Sequence, residues 1–414
     1  MMISTLLLAA AAASAQDDWP QWRGPRSSGS VDAPGFPATW EAPAWKARLP
    51  GKGGSTPIVV GERIYLTCPA DGHDAELAYD LDGRRLWETR LGPASPAKHK
   101  TLGSSCNASP VSDGQGLYVY FRSGRLAALE LDGRVRWRFD VLQAFGPEKL
   151  YWDQGSSPVL TERHVVLARL HGGESWLAAF DKRSGEIVWK EPRTVAAPPE
   201  NDNGYATPLV FTHDGRTALL VWGADLLSAH EASTGKVIWS CGGFNPERTG
   251  LWPAISTPVL SGDLVVVPVG RDDRKQARVH AVRLGGTGDV TATHRAWKRE
   301  DVGVFVPTPV EHRGRVYLLR HKGEVVCLDP KTGATVWTAE MPRAAAPYYA
   351  SPIVAGDTLY AAREDGAVFA ARVGEGLTLL GEHRLGERVV ASPVAARQRL
   401  FLRGDENLFC IRGQ

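Results

Sequence analysis

Short apolar runs bounded by glycine recur along this chain from Thr56 to Cys410, and no long stretch carries the spacing of an amphipathic helix. One unit, Thr308 to Trp337, shows the pattern: Pro309-Val310, then Arg315 to Leu319 after Gly314, Glu324 to Leu328 after Gly323, and Ala334 to Trp337. Apolar and β-branched runs this short, separated by turn residues, predict strands. The third-to-fourth connection, Asp329 to Gly333 (Asp-Pro-Lys-Thr-Gly), starts with turn-forming aspartate and proline and ends on a glycine that supplies positive φ. Asp181 to Gly185 and Glu231 to Gly235 repeat it, and Leu131 to Gly133 and Leu81 to Gly83 shorten it. Each unit is therefore expected to be a four-stranded antiparallel sheet.

A short phrase opens every unit: Ser55-Thr56-Pro57, Ala108-Ser109-Pro110, Ser156-Ser157-Pro158, Ala206-Thr207-Pro208, Ser256-Thr257-Pro258, Pro307-Thr308-Pro309, Ala350-Ser351-Pro352 and Ala391-Ser392-Pro393. The prolines are spaced by 53, 48, 50, 50, 51, 43 and 41 residues, a period that marks an array of supersecondary units rather than separate domains. Four-stranded units repeated radially predict an all-β fold, an eight-bladed β-propeller. Its ends support closure, because the last unit stops after three strands at Leu408 to Ile411, while Trp40 to Leu49 reads as an orphan fourth strand. The N-terminal strand is expected to complete the last blade and remove its exposed edge. An open solenoid or sandwich array would need no complementary half-unit at each end. Fourth strands tend to end on tryptophan (Trp87, Trp137, Trp189, Trp239, Trp297, Trp337), read as wedges between neighbouring sheets. In the seventh unit Leu379 or Leu380 stands at that place, and looser packing is expected there.

Composition narrows the function classes. The 48 basic against 46 acidic residues leave no basic field for nucleic acid or anionic lipid. Residues 1–15 hold an apolar run from Leu6 to Ala13 followed by Ala13-Ser14-Ala15, the pattern of a cleaved secretory signal but too short to span a bilayer. The expected organisation is a signal over 1–15, a leader over 16–39 and one propeller over 40–414, exported to the periplasm or beyond and monomeric. Its five cysteines (Cys68, Cys106, Cys241, Cys327, Cys410) form no CxxC pair or metal knuckle.

The connections from a fourth strand to the next first strand emerge on one face around the channel, and long loops on a rigid scaffold are where binding usually resides. The residues three places before each anchor proline should form one ring: Gly54, Asn107, Gly155, Tyr205, Ile255, Val306, Tyr349 and Val390. One place further out come Gly53, Cys106, Gln154, Gly204, Ala254, Phe305, Tyr348 and Val389. Neither ring carries a carboxylate or histidine, so a metal held by converging oxygen or imidazole ligands is not expected at this level. The rings either receive a planar or apolar ligand or fill the channel as core. The candidate ligand-binding residues are Asn107, Trp152, Asp153, Gln154, Asn203, Tyr205, Trp252, Phe305, Tyr348, Tyr349 and Arg388. Trp152 and Trp252, each six places before an anchor, could stack on a sugar or quinone or pack within their loops. The Lys98-His99-Lys100 cluster reads as a solvated loop, with anion contact as the alternative.

The phrase Ala-x-Asp-x-x-Thr-Gly-x-x-x-Trp, seen in Leu328 to Trp337 and Ala179 to Trp189, resembles the repeat of pyrroloquinoline quinone (PQQ) dehydrogenases and their non-enzymatic, BamB-like relatives. The segment Asp18 to Pro25 (Asp-Trp-Pro-Gln-Trp-Arg-Gly-Pro) looks like the leader of secreted PQQ-binding-like propellers of planctomycetes. For the enzymes the resemblance implies PQQ above a calcium ion, a tryptophan floor, an aspartate base and adjacent disulfide-bonded cysteines. This chain has no adjacent cysteines and no residue-by-residue match to the calcium ligands or the base, so no catalytic residue is carried over and no cofactor is assigned. The expected function is a non-catalytic, exported propeller that binds a protein or carbohydrate partner through its loop-rich face. The alternative is a PQQ-dependent oxidoreductase acting on an alcohol or sugar with Asp153, Asp202 or Asp301 as base.

Overall fold

The computed structural model describes residues 18–99 and 103–413; the signal reading and Lys100 lie outside them. Eight sheets follow one another in chain order. The first is an antiparallel meander of Ile58–Val60, Arg63–Ala70, His73–Asp80 and Arg85–Pro93. Blades two to seven occupy 111–140, 159–192, 209–241, 259–299, 310–340 and 353–384. The eighth has Val394–Ala396, Arg399–Arg403 and Asn407–Arg412 from the C-terminus, and its outer strand is Trp45–Arg48. Trp45 lies opposite Cys410 and Arg48 opposite Asn407 in antiparallel register, so the expected eight-bladed closure by the N-terminal strand is the fold observed.

The recurrent Ser/Thr-Pro phrase has a physical cause. The anchor hydroxyls of blades one to seven each accept the backbone N–H of the corresponding residue one blade earlier: Thr56 to Ser109 (2.9 Å), Ser109 to Ser157 (2.9 Å), Ser157 to Thr207 (3.0 Å), Thr207 to Thr257 (3.1 Å), Thr257 to Thr308 (3.0 Å) and Thr308 to Ser351 (2.9 Å). The Ser392 N–H carries the chain of bonds across the closure by donating to Thr56 Oγ1 at 3.2 Å, while no bond from Ser351 to the Ser392 hydroxyl occurs among the described residues. These groups are buried, and an unpaired N–H at each site would cost on the order of 1–3 kcal/mol. A hydroxyl at this position is thus needed in blades one to seven.

The fourth-strand tryptophans join the blades at the rim. Trp45, Trp87, Trp137, Trp189, Trp297 and Trp337 each donate Nε1–H to a carbonyl in the third-to-fourth turn of the next blade: Leu81, Leu131, Lys182, Ala232, Pro330 and Gly374, at 2.8–3.2 Å. A Cβ on the turn glycines Gly83, Gly133, Gly185, Gly235 or Gly333 would lie 2.5–2.7 Å from the docked indole, so these turns need glycine for space as well as for positive φ. A bulge one residue before each tryptophan of the continuous blades re-aims the ring toward its neighbour. Trp239 is the exception. The fifth blade's turn folds back as the short strand Gly288–Asp289, which pairs with Trp239 and Ser240 instead of receiving the indole N–H.

Register corrects the reading of the seventh blade. Its bulge falls between Leu379 and Gly381, so Gly381, not either leucine, occupies the tryptophan position. The next blade is the split one, with no third-to-fourth turn on which an indole could dock. Trp40 fills the space from the N-terminal side, stacked on His383 at 3.5 Å with the rings 17° from parallel, and Tyr360 donates its hydroxyl to the Pro37 carbonyl. Trp40 and Tyr360 are buried there, while Leu379 is exposed.

The segment before the closing strand is built into the channel on the side opposite the long loops. Trp19 exchanges both backbone hydrogen bonds with Val59 of blade one, and the Pro20 carbonyl accepts from Ser112 of blade two. Across the axis, Ser28 accepts from Glu311 of blade six, Gly29 and Val31 accept from Val354 and Gly356 of blade seven, and Ser30–Val31 forms a parallel strand on Ile353–Ala355. Between them the buried Arg23 guanidinium donates to the carbonyls of Pro309 (2.7 Å) and Pro352 (2.5 Å). Burial pushes its pKa down to about 9, because desolvation disfavours the cation.

Candidate functional site

In a four-stranded meander the fourth-to-first and second-to-third connections emerge on the same face. Here they surround a cavity of about 600 Å³ on the axis, within the size range of small-ligand sites. All eight residues of the first ring, from Gly54 to Val390, line it. They encircle the cavity instead of filling it, because Gly54 and Gly155 carry no side chain and the leader closes the opposite end of the channel. Trp22, between the buried Trp19 and Arg23, is part of the lining, and so are seven anchor hydroxyls: Thr56, Ser109, Ser157, Thr207, Thr308, Ser351 and Ser392. The result is a one-ended funnel.

Of the candidate residues, Asn107, Trp152, Asp153, Tyr205, Phe305, Tyr349 and Arg388 line this funnel. Gln154, Asn203, Trp252 and Tyr348 do not, because each is buried and committed elsewhere. Gln154 donates to the Ser156 carbonyl, and Asn203 bridges Asp202 and the Tyr151 N–H. Trp252 donates to Gln276 Oε1 beneath the Arg278 guanidinium, and Tyr348 donates to the Pro342 carbonyl. Extended backbone points successive side chains to opposite sides, so the outer ring mostly faces the blades. Phe305 is its exception, reaching the funnel with the Arg271 guanidinium 4.2 Å above its ring.

A second network supports one lip. Asp153, with its side chain 1% exposed, is held by Arg122 Nε at 2.6 Å and accepts the Lys98 N–H. Lys98 Nζ reaches Glu148 at 2.7 Å, fixing the loop on which His99 packs 3.9 Å from Trp152. The Tyr205 oxygen accepts the Trp152 N–H at 2.9 Å, and burial pushes its pKa well above the usual phenol value. Asp301 is paired with Arg299 at 2.5 Å, which lowers its pKa, and Asp202 binds Asn203. None of these three aspartates is an uncommitted base.

The sequence reading did not single out Trp22, Tyr151, Glu200, Arg271 or Arg274, all of which line the funnel. Arg271 and Arg274 lie between Leu264–Val269 and Arg278–Arg283, in a second-to-third connection long enough to reach the axis. That extra length was the available signal. Trp22 gave none, because its place depends on the path of an aperiodic leader.

The family model described as outer membrane protein assembly factor BamB matches residues 38–196, 173–281 and 275–402. The chain belongs to that family. A relative of that description from Moranella endobia is 23% identical over 283 residues, 68% of this chain and 66% of its own length, so the chain spans just under two thirds of it. The crystal structure of BamB from Moraxella catarrhalis superposes with a TM-score of 0.63 at 15% identity, covering 90% of this chain and 98% of that one. A europium-containing methanol dehydrogenase superposes at 0.70 with 12% identity, covering 95% and 90%. At such identities these two structures share the fold.

The metal of the quinone enzymes does not fit this funnel. Its lining holds two carboxylates, of which Asp153 is consumed by Arg122, and no group of three or more His, Cys, Asp or Glu able to hold a metal occurs among the described residues. A hard cation needs six or more oxygen ligands.

Proposed function

We propose that this protein is an exported, non-catalytic binding propeller whose central funnel receives part of a carbohydrate or protein partner. The observation that carries the reading is the funnel itself: aromatic faces, guanidinium groups and hydroxyls converge on a closed floor. Membership of a family described by outer-membrane assembly supports a binding role in the periplasm or beyond, and no helix among the described residues is long and apolar enough to cross a membrane.

A glycan array and an affinity pull-down from envelope extract, each run with wild type and with Trp152→Ala/Tyr349→Ala, test the reading. Binding lost in the double variant supports it; binding that survives moves the site off this face. Titration with PQQ and calcium, followed by dye reduction with alcohols and aldoses, addresses the oxidoreductase reading. Turnover in that assay would replace the binding role with a catalytic one.

A further inference from the structure

Resting on the reading that the funnel is the binding site, we infer that its ligand is an anionic saccharide, a short glycan segment bearing carboxylate or sulfate groups. Three guanidinium groups line the funnel, two from blade five and one from the connection between blades seven and eight. Arg388 gives Nε to Glu364 at 2.8 Å and sets its buried Nη1 3.7 Å from Asp405, which leaves Nη2 without a hydrogen bond among the described residues. Arg271 is forked onto Asp273 through Nε and Nη2 only. Arg274 lines the cavity exposed, and its guanidinium makes no hydrogen bond or ion pair among the described residues. Free N–H groups in this geometry suit the oxygens of a carboxylate or sulfate.

The rest of the lining suits a polyol ring. Glu200, in the connection from blade three to blade four, lies four blade steps around the ring from Arg388, and its carboxylate has no hydrogen-bond or ion-pair partner among the described residues, leaving an acceptor for ligand hydroxyls. Six of the seven lining anchor hydroxyls, all but Ser392, use their oxygens to accept neighbouring N–H groups, and none of the seven donates to another protein atom among the described residues, so their protons are available to ligand oxygens. Trp22 and Tyr349 offer aromatic surface to the C–H face of a sugar. A polypeptide is served less well. The anchor N–H groups that would pair with its backbone are taken by the hydroxyl ring, and the inner-strand edges below carry the leader. An acidic peptide meets only the arginines.

Calorimetric titration with oligogalacturonate, a sulfated oligosaccharide of equal length, a neutral oligosaccharide of equal length and poly-glutamate tests this, with thermal melts confirming that each variant is folded. At least one anionic saccharide is expected to bind roughly tenfold or more tightly than the neutral one, the weight of about one charge-assisted hydrogen bond. Arg274→Ala and Arg388→Gln should abolish that preference, and Tyr349→Ala should weaken both saccharides. The carboxylated and sulfated arms identify the anion. Equal affinity for neutral and anionic oligosaccharides, tighter binding of poly-glutamate, or no anionic saccharide bound overturns the inference. If neutral saccharides bind and Tyr349→Ala abolishes this, the funnel reading stands while its anionic part falls; if bound saccharide ignores every funnel substitution, the funnel reading falls as well.

Discussion

The docking of each tryptophan onto the next blade's turn glycine can be isolated by comparing two glycines of one blade. Gly215 (φ +73°) and Gly235 (φ +75°) share a left-handed backbone, but a Cβ on Gly215 meets nothing within 4 Å, whereas one on Gly235 would lie 2.5 Å from Trp189 Cε3. Gly215→Ala therefore measures backbone strain alone, about 1 kcal/mol. Gly235→Ala adds displacement of a packed indole, about 1–3 kcal/mol. It also strains the Trp189 Nε1 hydrogen bond to the Ala232 carbonyl (3.2 Å), worth about 1 kcal/mol. The expected totals are about 1 and about 3–5 kcal/mol. Urea unfolding followed by tryptophan fluorescence reads both, and in the background of Trp189→Ala the difference should shrink to what remains from the Glu191 side chain, whose Cγ lies 2.7 Å from the added Cβ. Equal losses in the wild-type background would refute interblade docking as the role of these residues.

Three further outcomes follow from the packing and the buried charges. Deleting residues 40–49 removes the outer strand of blade eight together with Trp40 and should give aggregated protein; a soluble deletion variant with a cooperative melt would contradict the closure. His230, hydrogen-bonded to the Gly235 carbonyl and to Ser228, is kept neutral by burial, its pKa pushed down to about 4. Unfolded histidine binds a proton below about 6.5, so stability should fall by about 3 kcal/mol as pH drops from 6.5 to 4, and His230→Gln should flatten that slope in pH-dependent urea titrations. Asp74 acts in the opposite sense, because burial raises its pKa to about 6 despite Ser123 and Arg125. The folded state keeps a proton that the unfolded chain has lost, so this group's contribution is fully present below about pH 4 and is lost, by about 3 kcal/mol, as pH rises to 6. Asp74→Asn should remove that loss.

Most of the architecture was legible because its causes are local and repeated. Thr56 and its counterparts in blades two to seven are needed for the interblade N–H bonds, and Gly83, Gly133 and Gly185 mark turns that receive an indole. The first ring was legible for the same reason, since equivalent positions in equivalent blades share one distance from the axis. What escaped was aperiodic or off by one residue. The bulge in blade seven moves the tryptophan position to Gly381, and the alternation of extended chain turns Trp252 and Tyr348 away from the funnel. Arg271 and Arg274 sit in a connection outside the fourth-to-first loops, and Trp22 reaches the axis through a leader held by four different blades.

That leader makes the channel one-ended, and hydrogen–deuterium exchange of the intact protein tests it most directly. Peptides covering 18–31 should exchange as slowly as the inner strands they bond, with the amides of Trp19, Ser112, Val354 and Gly356 among the protected ones. Complete exchange of 18–31 within seconds, beside protected blades, would mean that the channel runs open through the molecule and that the funnel has no floor.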